Sequence, residues 1–257
     1  KKIKNRVTNI VKSWYDNMFS NNKLLETEFQ RAVYDLKADT GTTGHKVKEY
    51  IFNLLVDENG YLRDTPLDDN DYESHFTDDE GNLIFDRDKY NILKRNLKQR
   101  LESLDNNRAV GRTRFMAEVT IYDGGRDMAG TIDLLSISAT GKVNLYDWKF
   151  MDLDTEKYKD VPWYKIKAWD KQMSQYKYIL EKNYGVKSED FQHTRMIPIL
   201  AVYSKPVYKK GDEKLPKLLS IKIGDVDVKN IPDDYLLPVA IKGERTGIDE
   251  IDSLIDK

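Results

Sequence analysis

The stretch over residues 114–150 constrains the fold more tightly than any other part of the chain. It holds three apolar runs, over 114–122, 129–138 and 142–150, separated by Asp123-Gly124-Gly125 and by Thr140-Gly141. Short β-branched and aromatic runs bounded by Gly-containing turns predict an antiparallel meander. Helical periodicity precedes it, over residues 7–19, 26–36, 44–55 and 86–104, with the polar run Thr40-Gly41-Thr42-Thr43 opening the third helix. A further helix is expected over 163–182, with Trp163, Ile166, Trp169, Met173, Tyr176 and Leu180 on one stripe, followed by strands over 196–203 and 218–223. Helices, a meander, a helix and more strands predict an α/β fold with a mixed central sheet flanked by helices.

Composition removes several function classes. The 257 residues contain no Cys, which excludes disulfides, thiolate zinc sites, iron–sulfur clusters and Cys nucleophiles. With 3 His, a zinc site built on imidazoles is not expected either. No apolar stretch approaches the ~20 residues of a membrane span, so no membrane partner is expected. Lys1 opens the chain without Met or a signal-peptide pattern. The expectation is a cytoplasmic, bacterial- or phage-type protein, cut from a longer chain that carries a helicase or another domain.

The formal charge of -2 excludes a histone-like polycation but leaves room for a local basic groove, because charge is unevenly spread. Residues 57–80 carry ten acids against one Arg, with turn signals at Asn59-Gly60 and Gly81-Asn82. The ligand order of a calcium-binding helical loop is missing, so a solvated acidic insertion or hairpin is expected over about 57–85. Basic residues lie on either side: Lys1, Lys2, Lys4, Arg6 and Lys12; Arg87, Lys89, Lys94, Arg95, Lys98 and Arg100; and Lys157, Lys159, Lys165, Lys167, Lys171 and Lys177. Each run fits a solvated face, and together they leave room for a phosphate-binding surface. The domain expectation is an N-terminal helical segment over 1–40, a main domain over 41–242 and a polar C-terminal tail over 243–257.

The meander carries charges where a core strand does not want them. Asp133 lies in Gly130-Thr131-Ile132-Asp133-Leu134-Leu135, and Asp147 and Lys149 lie in Leu145-Tyr146-Asp147-Trp148-Lys149-Phe150. Period-two geometry puts Asp147 and Lys149 on one face and Trp148 on the other. A tight turn at Gly141 makes Asp133 and Asp147 cross-strand neighbours. Two close carboxylates repel unless a cation joins them. A divalent metal meets that need; a buried Asp–Lys ion pair meets it in part. Asp-x-Lys by itself carries no weight, since Asp35-Leu36-Lys37, Asp212-Glu213-Lys214 and Asp227-Val228-Lys229 share it.

With its neighbours, the meander resembles the core of PD-(D/E)xK nucleases, and within them the RecB-like exonuclease branch. Gly41-Thr42-Thr43-Gly44-His45 at a helix start is similar to that branch's Gly-Thr-x-x-His motif. Gln172-Met173-Ser174-Gln175-Tyr176, on the helix after the Lys strand, is similar to its Gln-x-x-x-Tyr motif. Glu118 sits where the family often carries an acid in its first core strand. The motifs fall in the family's order across residues 41–203. Phe150 stands where relatives often have a small hydroxyl residue, and the four-Cys iron–sulfur cluster of some relatives is impossible here.

The resemblance implies a restriction-endonuclease-like core and metal-dependent hydrolysis of DNA, in recombination, repair or replication. It implies Mg²⁺ or Mn²⁺ held by His45, Asp133 and Asp147, with Lys149 orienting the attacking water and, if its pKa is lowered, helping to deprotonate it. Glu118 supports the ligands from behind, and Gln172 and Tyr176 contact the substrate backbone or a metal-bound water. Blander roles stay open: His45 packing at its helix start, Tyr176 in the core, Gln172 at the surface, Trp163 and Trp169 in the core rather than stacked on bases. His75 and His193 have no assigned role. An RNA-directed endonuclease of the same fold and a non-catalytic nucleic-acid-binding module are the competing functions.

Overall fold

The structure is a computed structural model that describes residues 5–11, 27–78, 81–106, 108–152, 163–209, 211–224 and 226–227. Its elements in chain order are β1 (Asn5–Arg6), α1 (Glu28–Leu55), α2 (Tyr72–Phe76), α3 (Arg87–Leu104), β2 (Arg114–Asp123), β3 (Met128–Ile137), β4 (Val143–Asp152), α4 (Trp163–Tyr184), β5 (Phe191–Tyr203), β6 (Leu218–Ile223) and β7 (Val226–Asp227). Residues 7–11 are helical. The remainder of the expected 7–19 helix, Lys1, Lys2, Lys4, Lys12, Lys157, Lys159 and the 243–257 tail lie outside the described residues.

The strands form one mixed sheet in the order β1-β3-β4-β5-β6, with β2 also on β3 and β7 also on β5. β2–β3, β3–β4 and β5–β6 are antiparallel, while β4 and β5, joined through α4, are parallel. Alternation along β4 feeds two cores. Tyr146 and Trp148 pack beneath α1 and α3 with Ile51, Leu55, Leu93 and Leu97, whereas Val143, Leu145 and Met151 pack beneath α4 with Trp169, Met173 and Tyr176. The α/β expectation and its mixed sheet flanked by helices hold. Among the described residues, no helix is long and apolar enough to cross a membrane.

The expected break before residue 44 is absent. Thr27 and Gln30 form a capping box, and α1 then runs unbroken for 28 residues. Thr40 and Thr42 are absorbed by donating their hydroxyls back to the carbonyls of Leu36 and Ala38, at 2.9 and 3.2 Å. Gly44 serves close packing rather than termination: a Cβ there would come within 2.0 Å of Phe150 Cζ. His45 therefore sits inside a helix, not at its start.

The acidic segment is also more than a solvated hairpin. It sends Leu62, Tyr72 and Phe85 into the core beneath α1 and α3. Its carboxylates neutralise the neighbouring basic helix: Asp69 pairs with Lys94 at 2.6 Å and with Arg87 at 3.6 Å, and Glu73 pairs with Arg87 at 3.3 Å. Asp86 caps α3 and pairs with Lys89. The charges of Arg87, Lys89 and Lys94 are thus answered within the fold.

Candidate functional site

The site lies where β3 and β4 part company. Their pairing ends at Leu134↔Tyr146; beyond it β3 continues with β2, and β4 continues with β5. Asp133 and Asp147 occupy the first rung of this fork. The Trp148 amide, released from β3, donates instead to Asp133 Oδ2 at 2.9 Å.

A second irregularity meets the fork. In β2, Phe115 faces the core beneath α1 and Ile121 the core beneath α4, although both are odd-numbered; in β3, Leu134 and Ile132 are divided the same way. The alternation therefore slips at Glu118 and at Asp133, which stand opposite each other between the pairs Ala117↔Leu134 and Val119↔Ile132. Glu118 takes φ 49°, the left-handed region that a non-Gly residue rarely adopts. Backbone strain at such a position persists only where the surrounding structure enforces it, and such strain clusters at functional sites.

From α1, His45 and Lys48 reach the same carboxylate. His45 Nδ1 lies 3.3 Å and Lys48 Nζ 3.0 Å from Asp133 Oδ2. Lys48 is buried, and its ammonium sits 4.1 Å from the centroid of the Trp148 ring. One ligand atom each from His45, Glu118 and Asp133 lie within 4.8 Å of one another. A gap of about 20 Å³ bounded by Lys48, Glu118, Asp133 and Trp148 leaves room for one water-sized occupant.

On the other side of the fork, Asp147 Oδ2 is 2.5 Å from Lys149 Nζ and accepts from Gln172 Nε2 at 3.2 Å. Gln172 Nε2 also donates to Tyr176 Oη at 2.9 Å. Gln172 and Tyr176 are buried, so they steady Asp147 from α4 rather than present themselves at the surface. The Tyr176 phenol is held neutral, its pKa raised well above the ordinary value chiefly by burial.

The charges are unevenly satisfied. Burial would raise the Asp133 carboxyl, but Lys48 and His45 overcome it and hold it well below the ordinary range. Asp147 goes the other way: burial and then the Asp133 charge raise it to about 7, with Lys149 offsetting only part. Burial, followed by Asp133, also raises Glu118. The His45 imidazole is lowered by burial, against the pull of Asp133, which leaves a neutral ring able to act as a ligand. Burial lowers Lys149, but Asp147 and Asp133 outweigh it and the net shift is upward. Lys149 is therefore an ammonium, and the idea that it helps deprotonate water finds no support in this arrangement.

All seven residues singled out from the sequence meet at the fork, with their roles redistributed. Glu118, expected behind the ligands, instead joins His45 and Asp133 in a group that could hold a metal ion. Asp147 is engaged by Lys149 and Gln172. Phe150 fills the space beneath Gly44, and its ring centroid lies 5.7 Å from that of His45. Lys48 was missed. Its signal was its i+3 spacing from His45, which puts the two on one helical face. No family model matches the chain, and no curated protein does.

Proposed function

We propose that the chain is a divalent-metal-dependent nuclease that hydrolyses DNA phosphodiester bonds, a RecB-like exonuclease of the PD-(D/E)xK superfamily with a restriction-endonuclease-like core. The observation that carries this reading is the fork: the buried Asp147 and the partly buried Asp133 on adjacent strands, Glu118 opposite, an imidazole and two ammonium groups, with Asp147 raised to about 7 by burial and its neighbour. Close carboxylates under that stress are what a cation relieves.

The donor set fits a hard or borderline divalent ion. His45, Glu118 and Asp133 would hold it, with Asp147 adjoining, and the mixed nitrogen and oxygen donors suit Mn²⁺ as well as Mg²⁺. Bound there, the ion would supply Lewis-acid polarisation of a phosphoryl oxygen and a more acidic water. The protein's own groups do the rest. Lys149, charged and 27% exposed, stabilises negative charge developing on the phosphoryl group. Gln172, backed by Tyr176, fixes the Asp147 carboxylate, and Lys48 with the Trp148 amide fixes Asp133.

End-labelled linear DNA and circular DNA, incubated with protein and Mn²⁺ or Mg²⁺, test the reading. Degradation that requires metal and is lost in Asp133→Ala and Lys149→Ala, with folding intact by circular dichroism, is the expected result. Absence of cleavage of single- and double-stranded DNA under both metals overturns it, and preferential digestion of RNA transfers the activity to the RNA-directed alternative.

A further inference from the structure

A recess of about 250 Å³ adjoins the fork on the α4 side, bounded by Lys149, Gln172, Lys165, Trp169 and Thr8. Lys165, Trp169, Gln172 and Tyr176 follow one another at spacings of four, three and four residues, so they share one face of α4. The nitrogen of Lys165 has no carboxylate within ion-pair distance among the described residues. The acid whose charge reaches it is Asp152, and Asp152 is already paired with Lys37. Other lysines near the sheet are answered: Lys142 pairs with Asp190 at 3.5 Å and Lys182 with Asp123 at 3.3 Å. Lys165 and Lys149 therefore put two ammonium groups on one recess, with Asp147 committed to the second alone. Burial lowers the Lys165 pKa, as expected of an ammonium without a counter-charge.

We propose that Lys165 binds a backbone phosphate of the nucleic-acid strand flanking the one held at Lys149. This rests on the nuclease reading and adds a direction to it: the strand leaves the fork along α4 toward its N-terminal end. Seven residues of helix separate Lys165 from Gln172, about 10 Å along the axis, or about three nucleotide steps at ~3.4 Å each. Among the described residues, a phosphate there meets a cation that no acid pairs with, close to the first turn of a helix whose dipole also favours an anion.

The test uses a 5′-fluorescein-labelled 20-mer, single-stranded and as a duplex, with the full chain. Binding is read by anisotropy without divalent metal across a salt series, and cleavage is read with Mn²⁺. Lys165→Met is expected to weaken binding about tenfold at low salt and to reduce the slope of log affinity against log salt by about 0.7–0.9. Lys165→Arg restores both, and Lys142→Met at the β3–β4 turn changes neither. In cleavage the loss falls on KM, and it shrinks as the substrate is shortened to a dinucleotide with a single phosphate. The melting temperature of Lys165→Met does not fall, because the change removes a half-buried charge that no described carboxylate pairs with. If the wild type cuts DNA while Lys165→Met keeps its affinity and salt slope, the subsite is wrong and the nuclease reading stands. If the wild type neither binds nor cuts, both fall.

Discussion

Asp147→Asn separates the electrostatic account of the fork from ordinary packing. The substitution keeps the shape and an oxygen for Gln172 to donate to, and removes the charge. Asp147 titrates near 7 in the folded chain against an ordinary 3.8. The sign follows from that direction. With the folded pKa above the unfolded one, the group's contribution to stability is complete below the unfolded value and is lost as pH rises through about 7. The shift of roughly 3 pKa units corresponds to at most about 4 kcal/mol at pH 8. Solvent reaching the fork past Lys149 screens part of it, leaving about 2 kcal/mol. Asn mimics the protonated acid, so the variant is expected to be more stable than wild type at pH 8, by roughly 4–8 °C in melting temperature for a domain of this size, and equal to it near pH 4. Paired melts from pH 4 to 9 in EDTA read this directly. A variant less stable at pH 8, or a difference that does not change with pH, refutes the assignment of Asp147 as the strained member of the pair. On the proposed nuclease reading the same protein should fail to cut DNA, which would make the residue that costs stability one that the activity requires.

Lys48→Met leaves Asp133 as a partly buried carboxylate without its main counter-charge. A loss of about 2–4 kcal/mol at pH 7, scored by urea denaturation, is expected, shrinking below pH 4 where the carboxyl protonates and partly recovered by Mn²⁺. Gly44→Ala adds a methyl where Phe150 already sits; the ~1 kcal/mol gained in helix propensity is outweighed by about 1–3 kcal/mol of overpacking. The double variant with Phe150→Leu should regain the difference, and failure to do so would disprove the close-packing role. Glu118→Gly relaxes the left-handed backbone but removes a proposed ligand. Calorimetric Mn²⁺ titration should show at least a tenfold weaker site, with the fold retained by circular dichroism.

Much of the architecture was legible because strands and amphipathic helices write their period into the sequence. The meander, α3, α4 and β6 fall within two residues of their expected bounds. The register that brings Asp133 to Asp147 followed from one tight turn at Gly141. What was not legible depended on tertiary partners. Thr40-Gly41-Thr42-Thr43-Gly44 looks like a helix boundary until Phe150 is placed against it. The acidic segment looks solvated until Tyr72 and Phe85 are seen in the core. The slip at Glu118 leaves no trace in a sequence, because neither its residue type nor its neighbours betray a positive φ. The roles shifted for the same reason: which carboxylate a lysine engages is decided by a fork in the sheet, and spacing along the chain does not encode it.

Every side chain of the candidate site hangs from a regular element: His45 and Lys48 from α1, Glu118 from β2, Asp133 from β3, Asp147 and Lys149 from β4, Gln172 and Tyr176 from α4. None belongs to a connecting loop. The geometry of the cluster is therefore as stiff as the hydrophobic cores beneath it, and apart from the turn at Gly141, which sets the β3–β4 register, the connections between elements can vary without contributing a side chain to it.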